Sequence, residues 1–382
     1  MTILDTEALY RRYVRDKFFA VMVQPTEACN LNCAYCYLPH RARRNEMSVE
    51  VAQAVADSIA EQGDAGTVLV IWHGGEPLML GTEKFEALLQ PFEELREAER
   101  VIHSVQTNAT LITPEWCRIF RDYWFHVGVS IDGPRAANLN RVNWTGRPAF
   151  DRIMKGIRTL QDEDISFAVI SVVSPETIAD PIPTLQFLDT LGAVTIAFNL
   201  EEREGVNVER PLLRLQEATD FWRAVIDHHQ ATGGTTQYRE LSQLSSYLLL
   251  SRTGRKAQWL AGLHEPGPAV GWDGTTVLLS PEFLGMTAPE HRDFVAGNVL
   301  TESLPSMLAR APHLSYLKEF MRGLAACETE CALWDFCKGA SAANRYFEHG
   351  TFTATETNHC QNARQAPLAA VDAHFQQTRE EN

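Results

Sequence analysis

From residue 18 onward the chain alternates short β-branched runs with helical stretches, and this alternation narrows the available folds more than any other feature. The candidate strands are FAVMVQ (19–24), TVLVIWH (67–73), VIHSVQT (101–107), FHVGVSI (125–131), SFAVISVV (166–173) and AVTIAFNL (193–200). Between them, segments near 48–62, 82–98, 114–122, 150–162 and 182–190 carry apolar residues three and four apart, the period of a helix with one buried face. Six strands joined by crossover helices make a parallel sheet, and right-handed crossovers curl it into a barrel or an open sheet. No clear GxGxxG follows the first strand, so dinucleotide binding finds little support. Residues 210–255 read as helices, and PAVGWDGTTVLLSP as a hairpin turning at Asp273 and Gly274. A boundary is expected at about 235–265, and from 300 a helical segment leads into a cysteine-rich end.

The eight cysteines are unevenly placed: Cys29, Cys33 and Cys36, then Cys117 alone, then Cys327, Cys331, Cys337 and Cys360. The N-terminus lacks the apolar core of a signal peptide, and no apolar run reaches the ~18 residues of a membrane helix. The expected location is the cytoplasm, where a disulfide framework is out of place and grouped thiolates point to metal centres. Cys117, in PEWCRIF, reads as a buried apolar residue. A net charge of −15 argues against nucleic-acid binding. The basic run His40 to Arg44 (HRARR) is the local exception, read either as a solvated loop or as a cationic contact for an acidic peptide or a cofactor phosphate.

Cys-x3-Cys-x2-Cys follows directly on the first strand, at the carboxyl end of the sheet, where parallel α/β folds place their chemistry. Three readings fit the spacing. A [4Fe–4S] cube held by three thiolates leaves one iron free to bind something else. Zinc could take the three thiolates and His40. Cys33 and Cys36 alone could form a redox pair.

The surrounding residues favour the first. The loop TEACNLNCAYCYLP, with Tyr35 before its last cysteine, resembles the signature of radical S-adenosylmethionine (SAM) enzymes. That resemblance implies a partial (β/α)6 barrel, a [4Fe–4S] cluster on Cys29, Cys33 and Cys36, and SAM chelated to the free iron. Further segments at successive strand ends resemble the family's cofactor contacts: HGGEP with Gly74, Gly75 and Glu76; QTNAT with Thr107 and Asn108; VSIDGP with Ser130 and Asp132. Arg141 stands where a partner of the SAM carboxylate is expected, Ser171 where a ribose contact is expected, and Leu200 where adenine is contacted.

At the other end, Cys-x3-Cys-x5-Cys-x22-Cys supplies four thiolates, enough to close a coordination sphere, and on spacing alone a zinc ribbon fits as well. Beside a radical SAM core it resembles the SPASM-type auxiliary-cluster domain. The further cysteines of full SPASM domains are missing here, Ser341 standing in one such position, so one auxiliary [4Fe–4S] cluster is expected and two clusters in all. The implied organisation is an α/β chain with an extension (1–17), the partial barrel (18–235), a helical connector (236–264), a cysteine-rich SPASM-like domain (265–370) and a tail (371–382).

Over residues 18 to 365 the sequence is further similar to the GrrM/OscB group of peptide maturases, although Lys338-Gly339-Ala340 replaces their usual glycine-rich run. That resemblance implies a ribosomally made precursor peptide as substrate, a reductant such as flavodoxin or ferredoxin, and three-residue cyclophane formation between an aromatic carbon and a nearby Cβ. An unactivated C–H bond needs a cofactor radical, and restoring the ring then needs acceptors for an electron and a proton. Glu282 is the candidate base, with Glu201 and Glu202 as rivals. A peptide epimerase, a thioether-forming enzyme and a non-catalytic zinc protein are the alternatives. Substrate capture is expected at the hairpin near 268–280, by strand addition.

Overall fold

The computed structural model describes residues 6–63, 66–260 and 263–380. Residues 1–5 of the expected extension, 261–262 of the connector and 381–382 of the tail lie outside the described residues.

The six expected strands form as β1 (Ala20–Val23), β2 (Val68–Trp72), β3 (Val101–Thr107), β4 (His126–Ser130), β5 (Phe167–Val173) and β6 (Ile196–Leu200). They pair in parallel, each with the next. The helices Val49–Glu61, Thr82–Leu89, Pro114–Asp122, Phe150–Asp162 and Ile182–Asp189 make the crossovers. Burial along the strands has a period of two, as the pleat requires. In β2 and β3 the residues Val68, Val70, Trp72, Val101, His103 and Val105 are all buried. Trp72 packs on Phe85 and Phe92 at 5.1 and 5.9 Å, so this face lies under the helices. The intervening residues, among them Met22, Gln106, Gly128 and Ser130, are half-buried and line the inner face.

The hairpin at Asp273 and Gly274 joins β7 (Ala269–Val270) to β8 (Thr275–Val277), and β9 (Val295–Asn298) follows. β7 pairs in parallel with β1, so one sheet runs β6-β5-β4-β3-β2-β1-β7-β8-β9. This corrects the expected strand addition at the hairpin. β7 lies between β1 and β8, and β8 between β7 and β9, so neither has an open edge.

The chain ends pack back onto this frame. The helix Thr6–Tyr13 meets Ser315–Glu330, where the Tyr13 hydroxyl donates to Glu328 at 2.6 Å. The helix Ala366–Glu380 packs along Leu215–Ala231, and Trp222 donates to the Asn362 carbonyl at 2.8 Å. No helix among the described residues is long and apolar enough to cross a membrane.

Candidate functional site

The cysteine loop leaves β1 and is stapled on both flanks. On one side the Cys29 amide donates to the Arg41 carbonyl at 2.9 Å. Arg41 reaches back to the carbonyls of Cys33 and Cys36 at 3.1 and 3.4 Å. On the other side Asn32 and Ala34 donate to the carbonyls of Val142 and Asn140, and Trp144 Nε1 donates to the Cys29 carbonyl at 2.7 Å. The three thiols are close enough to interact electrostatically, and burial is the main cause that pushes Cys29 and Cys33 up, Cys33 to about 11. Two N–H groups face the Cys29 sulfur, Leu31 N at 3.4 Å and Asn108 Nδ2 at 3.9 Å.

HGGEP lies directly beneath this loop. Gly75 has φ +59°, and a Cβ there would stand 2.5 Å from the Ala28 carbonyl oxygen and 2.7 Å from that of Thr26. Only glycine lets the two loops touch. Glu76 is buried, and its carboxylate accepts from Leu78 N (3.1 Å), Thr107 Oγ1 (2.7 Å) and Asn108 N (2.7 Å). Burial raises its pKa to about 7 against those bonds. Its carboxylate therefore ties β2 to β3, while the Asn108 side chain extends from β3 to the cysteine loop through Asn30 (2.9 Å).

The third cluster is built on Asp132. Its carboxylate accepts from the Tyr35 hydroxyl (2.6 Å), Arg141 Nη2 (2.8 Å) and Val172 N (3.0 Å). Arg141 is buried, and burial opposes its charge, but Asp132, Tyr35 and Cys33 more than compensate and its pKa is raised. Its Nε has no partner and no access to solvent, an unmet donor beside the cysteines. Ser130 faces inward and accepts from Gln106 at 2.8 Å. Ser171 does not join this inner set. It is fully buried on the Val169 face of β5, and its hydroxyl donates to the Asp132 carbonyl at 3.2 Å. Leu200 is likewise buried, two residues beyond Phe198, which packs on Phe221 and Trp222.

Where the segment after β6 meets the C-terminal region lies an acidic wall that the sequence motifs only partly signalled. Asn344 Nδ2 donates to Glu202 at 2.6 Å and Glu204 at 3.0 Å. His359 Nδ1 lies 2.8 Å from Glu202. Glu282 is half-buried, hydrogen-bonded to Ser280, and close enough to Glu202, Glu204 and Tyr37 to interact with each. Burial, and then Glu202, push Glu204 up; burial also pushes Glu202 up, but His359 and Asn344 reverse this, leaving it lowered. Burial raises Glu282. Glu201 stands apart, buried in an ion pair with Arg210. Tyr37, His73, Glu204 and Asn344 escaped the sequence reading. Their one local signal is Gly205, where a Cβ would stand 2.2 Å from the Tyr37 carbonyl and hold the Glu204 loop off the cysteine loop.

Cys327, Cys331, Cys337 and Cys360 line a single small pocket. Arg345 is buried beside it, donating to the Cys327 sulfur (3.2 Å) and the Gly339 carbonyl (2.8 Å). Gln365 donates to the Cys360 sulfur at 3.6 Å. Ser341 serves as helix N-cap, accepting from Ala343 N at 3.2 Å. Cys117 is fully buried on Pro114–Asp122, its sulfur 4.0 Å from the Thr159 carbonyl.

Three thiols at one site and four at the other are donor sets that an iron–sulfur cluster can take. His40, the fourth ligand a zinc site would need, stands by Gly285, in the outer groove. The sulfurs of Cys29, Cys327 and Cys360 receive N–H donors, the environment that tunes cluster sulfurs. The orphaned Arg141 Nε fits a carboxylate-bearing ligand beside the first group.

Comparison with known proteins agrees with this geometry. The radical SAM superfamily matches residues 23–188. An uncharacterized protein of Synechocystis sp. is 30% identical over 349 residues, 89% of this chain and 87% of the relative. The serine-type anaerobic sulfatase-maturating enzyme of Bacteroides thetaiotaomicron is 32% identical over 186 residues, covering 47% of this chain and 45% of that enzyme. Among solved structures, anSMEcpe with AdoMet and a peptide bound aligns over 95% of this chain and 99% of its own, with a TM-score of 0.75 at 18% identity. Streptococcus suis SuiB bound to its precursor peptide SuiA aligns over 90% and 76%, with a TM-score of 0.66 at 15% identity.

Proposed function

Because the chain belongs to the radical SAM superfamily of enzymes, we propose that it matures a ribosomally synthesised peptide, abstracting a Cβ hydrogen and joining that carbon to a nearby aromatic side chain as a three-residue cyclophane. The observation that carries this reading is the acidic wall, which reaches the cysteine loop through Tyr37 and the C-terminal cysteines through His359, close enough to Cys360 to interact with it. Closing a ring onto an aromatic carbon releases one proton and one electron, and acceptors for both would then flank the substrate.

Cys29, Cys33 and Cys36 would hold a [4Fe–4S] cluster that, with SAM, would supply radical chemistry, and Cys327, Cys331, Cys337 and Cys360 would hold a second that would supply an electron acceptor. Arg141 Nε offers the donor for the SAM carboxylate, and Asp132 fixes that guanidinium while the Tyr35 hydroxyl donates to the other oxygen of Asp132. Gly74, Gly75, Asn108 and Ser130 shape the inner surface toward SAM. Thr107 and Glu76 hold that surface in place rather than reaching into it. Glu282 takes the proton; a carboxylate whose pKa burial raises is better matched to that task near neutral pH. Glu202 and Glu204 surround it, and Arg210 removes Glu201 from contention. The peptide approaches along a groove between the 38–43 segment and the hairpin, lined by Trp272, Leu284 and Met286, which shares Gln24, Leu38 and Leu284 with the recess holding Tyr37 and His73.

Epimerisation needs a thiol that can return a hydrogen atom. The spare thiol, Cys117, is buried under the helices on the far side of the sheet's inner face.

Tandem mass spectrometry after co-expression with aromatic-containing precursor peptides tests the reading, with Cys33→Ala as the control. Loss of two hydrogens within a short aromatic-containing segment, absent from the control, is expected. Unchanged mass with deuterium uptake in heavy water would mean epimerisation and sink the crosslinking assignment. A loss of two hydrogens mapped to a substrate cysteine sulfur would instead make the product a thioether.

A further inference from the structure

Resting on the peptide reading above, we propose that Glu202, Glu204 and the side-chain oxygen of Asn344 form the binding site for a cationic side chain of the substrate, a lysine or arginine close to the residues being crosslinked.

Asn344 is 1% exposed. Its amide nitrogen is spent on two carboxylates, Glu202 at 2.6 Å and Glu204 at 3.0 Å. The oxygen of the same planar group has no partner among the described residues. Turning the amide over would set that oxygen against both carboxylates, so the unmet acceptor is fixed where it stands. A buried acceptor calls for a donor, and its neighbours decide what charge that donor carries.

Those neighbours are acids. Glu202, Glu204 and Glu282 interact with one another, and Glu348 stands within range of Glu204. Glu348 is engaged by the amides of Asn358 and His359. The basic group facing the other three is His359, 2.8 Å from Glu202. Among the described residues no lysine or arginine pairs with Glu202, Glu204 or Glu282, whereas Glu201 has Arg210. An N–H-rich cation completes such a set, because it meets the carboxylates and the Asn344 oxygen together. The acids are open to an entering side chain. Glu202 keeps 20% of its side chain exposed, and Glu204 and Glu282 are half-buried. Pro281, the residue before Glu282, lines the recess with Tyr37 and Leu284, and Leu284 also lines the groove. A peptide that presents its aromatic residue to Glu282 thus has Glu204 within reach of a neighbouring side chain.

The test uses the cluster-loaded enzyme with SAM and a set of synthetic peptides of one sequence containing a single tryptophan. One residue is varied, at each of the three positions on either side of it, among lysine, arginine, acetyl-lysine and glutamine. Binding is read by fluorescence anisotropy of a dye on the peptide terminus, and crosslinking by mass spectrometry. At the best position lysine or arginine should bind wild type about tenfold or more tighter than acetyl-lysine or glutamine. Burial, and then Glu202, push Glu204 up, so glutamine mimics its protonated form and Glu204→Gln should fold. That variant should cut the preference to below about threefold and bind the glutamine peptide as wild type does. Equal binding of all four peptides to wild type at every position overturns the proposal, whether or not the variant folds. So does a preference that survives intact in a Glu204→Gln protein that melts like wild type. Manganese(II) binding that is lost in Glu204→Gln, with no preference among the peptides, would make the wall a metal site and overturn it as well. If the crosslinking reading fails instead, wild type keeps the charge preference in anisotropy and returns every peptide uncrosslinked.

Discussion

At the scale of single residues, two positions in HGGEP serve geometry before chemistry. Gly75→Ala would drive a methyl into two backbone oxygens that cannot yield, at a φ of +59°. The expected cost is at least ~2 kcal/mol of stability with loss of iron from the first cluster, read by thermal melts and the iron-to-protein ratio. An unchanged iron content would show that the loops can part. Glu76→Gln removes one of three acceptor contacts and sets an amide against the Asn108 N–H, an expected loss of ~1–3 kcal/mol. Its pH dependence has a definite sign. Burial holds the folded pKa at about 7, above the ordinary 4.5, so the folded state keeps a proton the unfolded chain releases. This contribution to stability is full below about 4.5 and is lost as pH rises through about 7. Melting temperatures of wild type should therefore fall more steeply than those of Glu76→Gln across that window, and parallel curves would refute the assignment.

Among elements, the turn after Cys337 shows what the sequence could and could not reveal. Lys338, Gly339 and Ala340 all have left-handed φ, 55°, 93° and 53°. The glycine-rich run of the similar maturases suits such a turn, and two non-glycine residues adopt it here under strain. Ala340→Gly should accordingly stabilise the protein by ~0.5–1 kcal/mol, measured by urea unfolding, and a destabilisation would mean the Ala340 methyl matters more than its φ. The strands and crossover helices were legible because each repeats a local pattern; β3 and the helices Pro114–Asp122 and Phe150–Asp162 match the expected ranges to the residue. The cysteines were legible because ligand spacing is also local. The pairing of β7 with β1 was not, since two residues joined across more than two hundred carry no local periodicity. Glu204, Asn344 and Arg345 were invisible for the same reason: each is an ordinary residue until distant segments fold against it. Ser171 misled because strand parity, rather than its motif position, decides which face it occupies.

For the molecule as a whole, the sheet binds the two ends of the chain into one cooperative structure. Removing residues 264–382 would strip β7 from β1, expose a row of unpaired backbone groups and bare the helix Leu215–Ala231 where Asn362 now caps Trp222. The truncated chain should aggregate or lose its cooperative melt, and a monomeric, sharply melting fragment by size-exclusion chromatography and calorimetry would disprove this. Cys337→Ser, by contrast, should leave the fold standing and, with the two clusters proposed, lower the iron content from about eight to about four per chain. The acidic wall is assembled from both halves as well: Glu202 and Glu204 follow β6, whereas Asn344 and His359 arrive from beyond the hairpin. On the proposed function, radical generation and substrate fitting are thus written in different stretches of the gene. Mutation near 340–360 can redraw the space a peptide must occupy while leaving the SAM-holding loops untouched, which makes that stretch the natural place for a laboratory, or a lineage, to change what the enzyme accepts.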